Sequence, residues 1–543
     1  MRFLPVSLNT LLVELADLGE TLALFASLQA GPLPGIEEVV PAARTLMIRW
    51  TPGVLDPAAL AADLRARSLG SAPEPSDRQV EIPVHYDGED LGDVAALTGL
   101  TREEVVARHT ASAFTVAFTG FAPGFGYLVG GDPALHVPRR RSPRTRIPAG
   151  AVALAGAFSG IYPQASPGGW QIIGVTPLAM WDLARDPPAL LQPGTRVRFV
   201  DADAPGARVI RAAPKRAAPA TLPTEPPSLG LRVLAAPMPA LFQDLGRPGQ
   251  TAQGVSVSGA LDREALRAAN RAVGNPAGTP GLEITLGGFR FETFGRLTVA
   301  LAGAPCPIRV RDATGRAFSA EPYRPVALEP GDAVEIGHPP TGVRAYLAVR
   351  GGFAVAPVLA SAATDTLARI GPEPVTAGAV LPARPAPAGG PAVSLDETAP
   401  RALPAAGDTV TLDVVMGPRT DWFTARGVAA LADQLWEVTP QSNRVGMRLL
   451  GAEPLERIDA AELPSEGTAT GAIQVPHSGQ PVLFLADHPL TGGYPVIASV
   501  AGHHLDLAAQ IPVGARIRFR PVTRFAEIAP GAPAPSASPE FRA

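Results

Sequence analysis

The densest group of acid/base and hydrogen-bonding side chains lies between Ser465 and Tyr494, where Glu466, Gln474, His477, Asp487, Thr491 and Tyr494 share one stretch. A Glu, a His and an Asp supply proton transfers once a fold brings them together. Glu466, His477 and Asp487 are therefore the catalytic candidates, with Gln474, Thr491 and Tyr494 as binding groups. A second concentration is cationic: Arg139, Arg140, Arg144 and Arg146 alternate with prolines that fix their loop. The guanidinium fork suits bidentate phosphate or carboxylate binding, although a solvated surface or a domain interface uses the same residues. Tyr127, Tyr162 and Trp170 can line a small-substrate pocket, but rings of this kind more often fill cores. Gln243 and Arg247 occupy a polar turn, FQDLGR, and Asp262 stands where it would cap a helix. His477, Asp487, His488, His503 and His504 lack the usual ligand spacing, so no metal site is expected.

Glycine-rich loops at Pro123–Gly126 and Pro167–Trp170 can turn backbone N–H groups toward an anion, and hairpin turns account for the same glycines. Neither loop is a dinucleotide fingerprint or a P-loop. The chain has a single lysine, Lys215, in a Pro/Ala-rich stretch. That removes P-loop, Schiff-base and biotin-carrier chemistry, each of which needs a positioned lysine. One cysteine, Cys306, excludes an intrachain disulfide and any multi-cysteine metal site. No Gly-x-Ser-x-Gly elbow occurs, which argues against an α/β-hydrolase amidase. The net charge of −4 gives no nucleic-acid footprint. No apolar run reaches the roughly 20 residues of a membrane span, and the N-terminus lacks a signal-peptide pattern. A cytoplasmic protein is expected.

Elements that must position these groups are short and β-rich, consistent with 61 prolines and 56 glycines in 543 residues. Residues 1–80 read as an α/β ferredoxin-like module: a strand over Leu4–Leu15, a helix from Asp17 to Leu28, strands at Ile36–Val40 and Thr45–Trp50, a helix from Asp56 to Gly70, and a closing strand at Val80–His85. Residues 81–205 read as a β-barrel with one helix at Thr101–Ala111. A Pro/Ala-rich linker, extended and semi-rigid, covers 206–230. A first β-rich domain at 231–392, with a helix at Asp262–Val273, precedes a second at 393–527 with a helix at Asp421–Ala432. The tail, 528–543, is expected to be disordered. An internal echo ties the halves together: GGWQII at Gly168–Ile173 with GGYPVI at Gly492–Ile497, and PGTRVRF at Pro193–Phe199 with VGARIRF at Val513–Phe519. Two related barrels are the natural reading.

The blocks GFAPGFGYL, PRRRSPRTRIPAG and YPQASPGGW in the first half resemble the 5-oxoprolinase B subunit, also called KipI or allophanate hydrolase subunit 1. The family usually has Leu after Gly130, where this chain has Gly131. In the second half, FQDLGRPG, GVSVSGALDREALRAANRAVGNP, GLEITLGG, SNRVGMRLLG and the stretch Ser465–Val500 resemble the 5-oxoprolinase C subunit, also called KipA or allophanate hydrolase subunit 2. Alanine replaces the usual first glycine of the block Ala360–Asp365. The resemblance implies a mainly β chain with cyclophilin-like barrels in both halves, related to the carboxyltransferase domains of urea amidolyase. It also implies the B and C components of an ATP-dependent 5-oxoprolinase, with Mg as the counter-ion of ATP and no biotin on this chain. Its implied partner is a LamB/YcsF-like A component on a separate chain. Homo-oligomerisation is left open. Two rival readings follow from the same kinship: a carboxyltransferase component acting on urea with a biotinylated partner, and a KipI-like histidine kinase inhibitor.

Overall fold

The computed structural model describes residues 1–70, 76–140, 142, 144–204, 228–459, 461 and 463–531. Most of the expected linker, Lys215 and the tail beyond 531 lie outside the described residues.

The first module is a four-stranded antiparallel sheet in the order Arg2–Ser7, Thr10–Glu14, Thr45–Trp50, Ile36–Pro41. Alternation along its strands serves both faces. Phe3, Leu11 and Val13 pack with Leu24 and Leu64 of helices Leu18–Ala30 and Pro57–Ala66. Leu4, Leu12 and Met47 meet Leu490 of the last domain on the other face. Asp17 and Asp56 cap the two helices as expected. Two expectations are corrected. Leu4–Leu15 is a tight hairpin, turned at Leu8 and Asn9, rather than one strand. Its first arm fills the sheet edge assigned to Val80–His85. The segment Gln79–Val84 instead runs parallel to Arg196–Asp201 in the next domain, where Ile82 and Val84 join Val197 and Phe199 in a core. The module thus keeps the ferredoxin-like arrangement of three strands and takes its fourth from the N-terminus.

The next domain curls seven strands in the order Gln79–Val84, Arg196–Asp201, Phe114–Thr119, Gly126–Val129, Phe158–Ile161, Ala151–Ala155, Gln171–Val175. His85 and Val175 exchange backbone hydrogen bonds of 2.8 Å across the remaining gap. The last domain is a closed barrel in the order Thr409–Met416, Arg516–Pro521, Trp436–Val438, Gly446–Leu450, Val482–Phe484, Ala472–Gln474, Val496–Val500. Strand for strand the two orders coincide. In each barrel the strand bearing the echoed RVRF or RIRF runs parallel to the first strand. The internal echo is therefore a repeated fold.

Between the two barrels in chain order comes a sandwich of a six-stranded and a five-stranded sheet. Helix Arg263–Ala272 packs Ala265, Ala268 and Ala272 on Ala300, Ala302 and Ala348, small residues that let helix and sheet approach closely. The helix expected at Asp421–Ala432 is Ala425–Asp433, capped by Thr424, after a short turn at Thr420–Trp422. Helix Leu91–Thr98, between Gln79–Val84 and the expected helix at Arg102–Ala111, was not expected. Its N-cap, Asp90, makes no capping bond because its carboxylate takes Arg140, Arg144 and the Ile172 N–H instead. The expectation of disorder from 528 is corrected at its start: the Ile528 N–H donates to Phe3 O at 2.8 Å, and Gly531 N–H to Ala58 O at 3.1 Å. No helix among the described residues is long and apolar enough to cross a membrane.

Buried in the first barrel, His109 sits with the Tyr86 hydroxyl 2.8 Å from Nδ1 and the Ser159 hydroxyl 3.2 Å from Nε2. Burial pushes its pKa down to about 3, whereas an unfolded histidine titrates near 6.5. The unfolded chain then binds the extra proton between these values, so stability falls as pH drops from about 6.5 toward 3, by up to about 1.4 kcal/mol per pH unit. Denaturant titrations of wild type and His109→Asn at pH 6, 5 and 4 should show a slope shallower by about one proton in the variant. An identical slope in both would refute a neutral buried His109.

Candidate active site

Each barrel carries an accessory two-stranded ladder beside its glycine-aromatic turn. Arg144–Ile147 pairs with Ser166–Gly168 before Gly169-Trp170, and Glu466-Gly467 pairs with Thr491-Gly492 before Gly493-Tyr494. The two turns face each other across a cavity of about 290 Å³. The first barrel contributes Phe121, Phe125, Tyr127, Tyr162, Trp170 and Arg139. The second contributes Ser465, Gln474, Thr491 and Tyr494. Two direct hydrogen bonds join the walls: Phe121 N–H donates to Thr491 Oγ1 at 3.0 Å, and the Tyr127 and Ser465 hydroxyls lie 3.1 Å apart. The expected pocket aromatics are pocket and core at once, because Phe125 stands edge-to-face with Tyr127, Tyr162 and Trp170 at centroid distances of 5.0–5.4 Å. Burial pushes the Tyr162 phenol above its ordinary range, so it stays a neutral donor near pH 7.

Glycine leaves room in these turns for the side chains that lie beside them. A Cβ on Gly492 would fall 2.7 Å from Gln474 Nε2, and one on Gly493 would fall 3.0 Å from Arg139 Nη1. A Cβ on Gly168 would fall 2.4 Å from the Tyr162 hydroxyl. The missing side chains let an amide, a guanidinium and a phenol approach the turn backbones.

Of the four arginines, only Arg139 reaches the wall. Arg144 grips Asp90 in two bonds of 2.7 and 2.8 Å and lies 3.2 Å from Glu89, and the Asp90 hydrogen bond holds its guanidinium above the usual range. Arg140 also pairs with Asp90. These two fasten the loop to the barrel. Arg146 is exposed, without a hydrogen bond or ion pair to any described residue.

The catalytic trio expected from the sequence is not assembled. Glu466 is held by Arg419, whose Nε lies 3.0 and 3.1 Å from its two oxygens, and Arg419 also binds Glu14 of the first module at 3.0 Å. Burial pushes the Glu466 pKa up and Arg419 opposes the shift; its neighbour Ser465, not Glu466, forms the wall. Asp487 is buried on Arg444 at 3.0 Å, with Ser258 Oγ at 2.7 Å and Thr366 N and Oγ1 at 2.9 and 2.7 Å. Burial disfavours its charge, but Arg444 outweighs this and holds it below the usual carboxylate range. His477 stands outside the wall, its ring 5.2 Å from that of Tyr494. Gln243 and Arg247 lie in the sandwich, donating to Thr364 O and Ala363 O. Arg419 and Arg444, which organise these carboxylates, carried no sequence signal of their role, since their partners are scattered along the chain.

One group among the described residues has metal-ligand proximity, Asp413 with His503 and His504. His504 Nδ1 accepts the Asp413 N–H at 2.9 Å, and Arg520 Nε binds Asp413 Oδ1 at 2.6 Å. A used lone pair and a neutralised carboxylate make this an ion-pair cluster.

Residues 1–191 match the family described as carboxyltransferase domain, subdomain C and D, and residues 253–521 match carboxyltransferase domain, subdomain A and B. The chain is 37% identical over 299 residues to the 5-oxoprolinase C subunit of Escherichia coli (strain K12), covering 53% of this chain and 90% of that protein. It is 43% identical over 176 residues to the 5-oxoprolinase B subunit of Escherichia coli O157:H7, covering 31% of this chain and 79% of that protein. The crystal structure of TTHA0988 superposes with a TM-score of 0.79 at 36% identity, covering 94% of this chain and 99% of that one. With both relatives matched over most of their lengths, the chain belongs to the family of the 5-oxoprolinase B and C subunits, built from carboxyltransferase domains and joined here in one polypeptide.

Proposed function

We propose that this chain is the B and C component of an ATP-dependent 5-oxoprolinase, acting with a separate A component, and that the cavity between the barrels binds the lactam. The observation that carries this reading is the shared wall. The half similar to the B subunit supplies five rings and Arg139, and the half similar to the C subunit supplies Ser465, Gln474, Thr491 and Tyr494. The cavity suits a small ring rather than a nucleotide. Among the described residues Arg139 is the cation on its wall, and no phosphate-binding lysine lies among them. ATP with its Mg would bind outside this cavity.

In the overall reaction the lactam C–N bond breaks, the carbonyl carbon gains an oxygen from water, and the nitrogen leaves as the glutamate amine after taking a proton. A second water is consumed as ATP is hydrolysed to ADP and phosphate. The aromatic walls exclude bulk water, and Arg139 holds the substrate carboxylate. The Thr491 hydroxyl, and whichever of the paired Ser465 and Tyr127 hydroxyls is not donating to the other, would donate toward charge developing on the carbonyl oxygen. Among the described wall residues the groups that act on the substrate are hydrogen-bond donors and one guanidinium, so their contribution is positioning and polarisation.

Mixing the purified full chain with the A component, ATP and 5-oxoproline should release glutamate and ADP well above either protein alone. The absence of any stimulation would overturn the reading. Activity on urea that needs carboxybiotin and is blocked by avidin would replace it with carboxyl transfer, and kinase binding without ATP turnover would replace it with regulation.

A further inference from the structure

We infer that Gln474 is the residue that reads the substrate's amide, pairing its own side-chain amide with a cis N–H/C=O edge. This inference rests on the lactam reading of the cavity. Gln474 is 7% exposed and reaches the cavity from strand Ala472–Gln474. Its Nε2 donates to Tyr494 O at 3.2 Å, which fixes which way the amide faces. One Nε2 proton is thereby used. The second Nε2 proton and Oε1 make no hydrogen bond to a described residue.

A primary amide presenting one N–H beside its C=O is the complement of a cis amide, which presents C=O beside N–H on one edge. Small rings, ureas and primary amides present that edge without cost, whereas an open-chain secondary amide prefers trans by about 2.5 kcal/mol or more. Two hydrogen bonds to Gln474 therefore select lactams and ureas over peptides. Gly492 makes room for this amide, and adjacent Gly493 makes room for Arg139, so both heads flank one turn. In 5-oxoproline the carboxylate sits on the carbon next to the lactam nitrogen, which places an anion beside the paired edge, where Arg139 stands. The amide fixes the ring edge and the arginine fixes the substituent.

The test is calorimetric titration of the full chain, alone and with the A component, using four probes: 5-oxoproline, 2-pyrrolidinone (lactam, no carboxylate), tetrahydrofuran-2-carboxylate (carboxylate, no lactam) and urea. Gln474→Leu should weaken 5-oxoproline and 2-pyrrolidinone by on the order of 10- to 100-fold, with little change for tetrahydrofuran-2-carboxylate. Arg139→Leu should weaken the two carboxylates and spare 2-pyrrolidinone. Equal 5-oxoproline affinity in wild type and Gln474→Leu would overturn the inference while leaving the lactam reading intact. Wild type that binds 5-oxoproline under neither condition would overturn the lactam reading. Urea held more tightly than 5-oxoproline, and lost in Gln474→Leu, would uphold the role of Gln474 and overturn the choice of substrate. Unchanged thermal unfolding of each variant ties any loss to binding.

Discussion

Arg444→Met is expected to lower the unfolding free energy by about 3–5 kcal/mol, the usual loss when one partner of a buried ion pair is removed. Arg444 is buried between the sandwich and the second barrel. Its Nε and Nη2 each lie 3.0 Å from Asp487, Nη1 lies 2.5 Å from Glu283, and Nη2 donates to Gly259 O at 2.7 Å. Methionine would fill much of the volume but leave Asp487 buried without its ion-pair partner and Glu283 with Arg344 alone, 3.7 Å away. Asp365 is already pushed up to about 7 by burial and by Asp487, so the site has no capacity for more uncompensated negative charge. Because Asp487 also holds Ser258 and Thr366, the damage would cross from barrel to sandwich. Urea unfolding of Arg444→Met, Asp487→Asn and the double variant checks this. The double should lose less than the sum of the singles, since removing both charges relieves the unpaired one. A single variant within about 1 kcal/mol of wild type would show that the network contributes little to stability.

The second large effect is expected on activity without loss of fold. In Gly492→Ala the new methyl would lie 2.7 Å from Gln474 Nε2, the far end of a flexible side chain, and Gly492 is not among the glycines with positive φ. Stability should change by only about 1 kcal/mol, because an amide can swing aside. The displaced amide no longer meets its ligand edge, and misplacement of a positioning group by about 1 Å can cost on the order of 10²-fold in rate. The predicted result is a loss of that order in kcat/KM for 5-oxoproline in the presence of the A component, with an unfolding transition close to wild type. Gly168→Ala makes a useful contrast. Its Cβ would press on the Tyr162 hydroxyl at 2.4 Å and on Ile147 at 2.9 Å, inside the packed core, so stability and activity should fall together. Unaltered kinetics in Gly492→Ala would remove Gln474 and its turn from the site.

Local features were legible in the sequence. Asp17, Asp56, Thr101 and Asp262 stand at the starts of helices, because a capping side chain acts on backbone within three residues. The echoed GGW and GGY turns led to both halves of the cavity wall. Partnership across the chain was not legible. Asp487 binds a serine 229 residues away and Glu466 an arginine 47 away, so neither spacing nor residue type separates a structural carboxylate from a catalytic one. Arg139 and Arg140 are neighbours of equal charge, and only the position of Asp90 decides which fastens the loop and which faces the cavity. The strand at Gln79–Val84 was visible as a strand, but its partner was set by closure of a barrel with a distant segment, Arg196–Asp201. Asp90 concealed a helix start by spending its carboxylate on two arginines.

The most direct test of the central claim, that the two halves build one lactam site between them, is a crystal structure of the full chain with 5-oxoproline at saturating concentration. The ring is predicted between the two glycine turns, its carboxylate on Arg139 and its lactam edge on Gln474. A lactam bound elsewhere, with the cavity between Trp170 and Tyr494 empty, would contradict it.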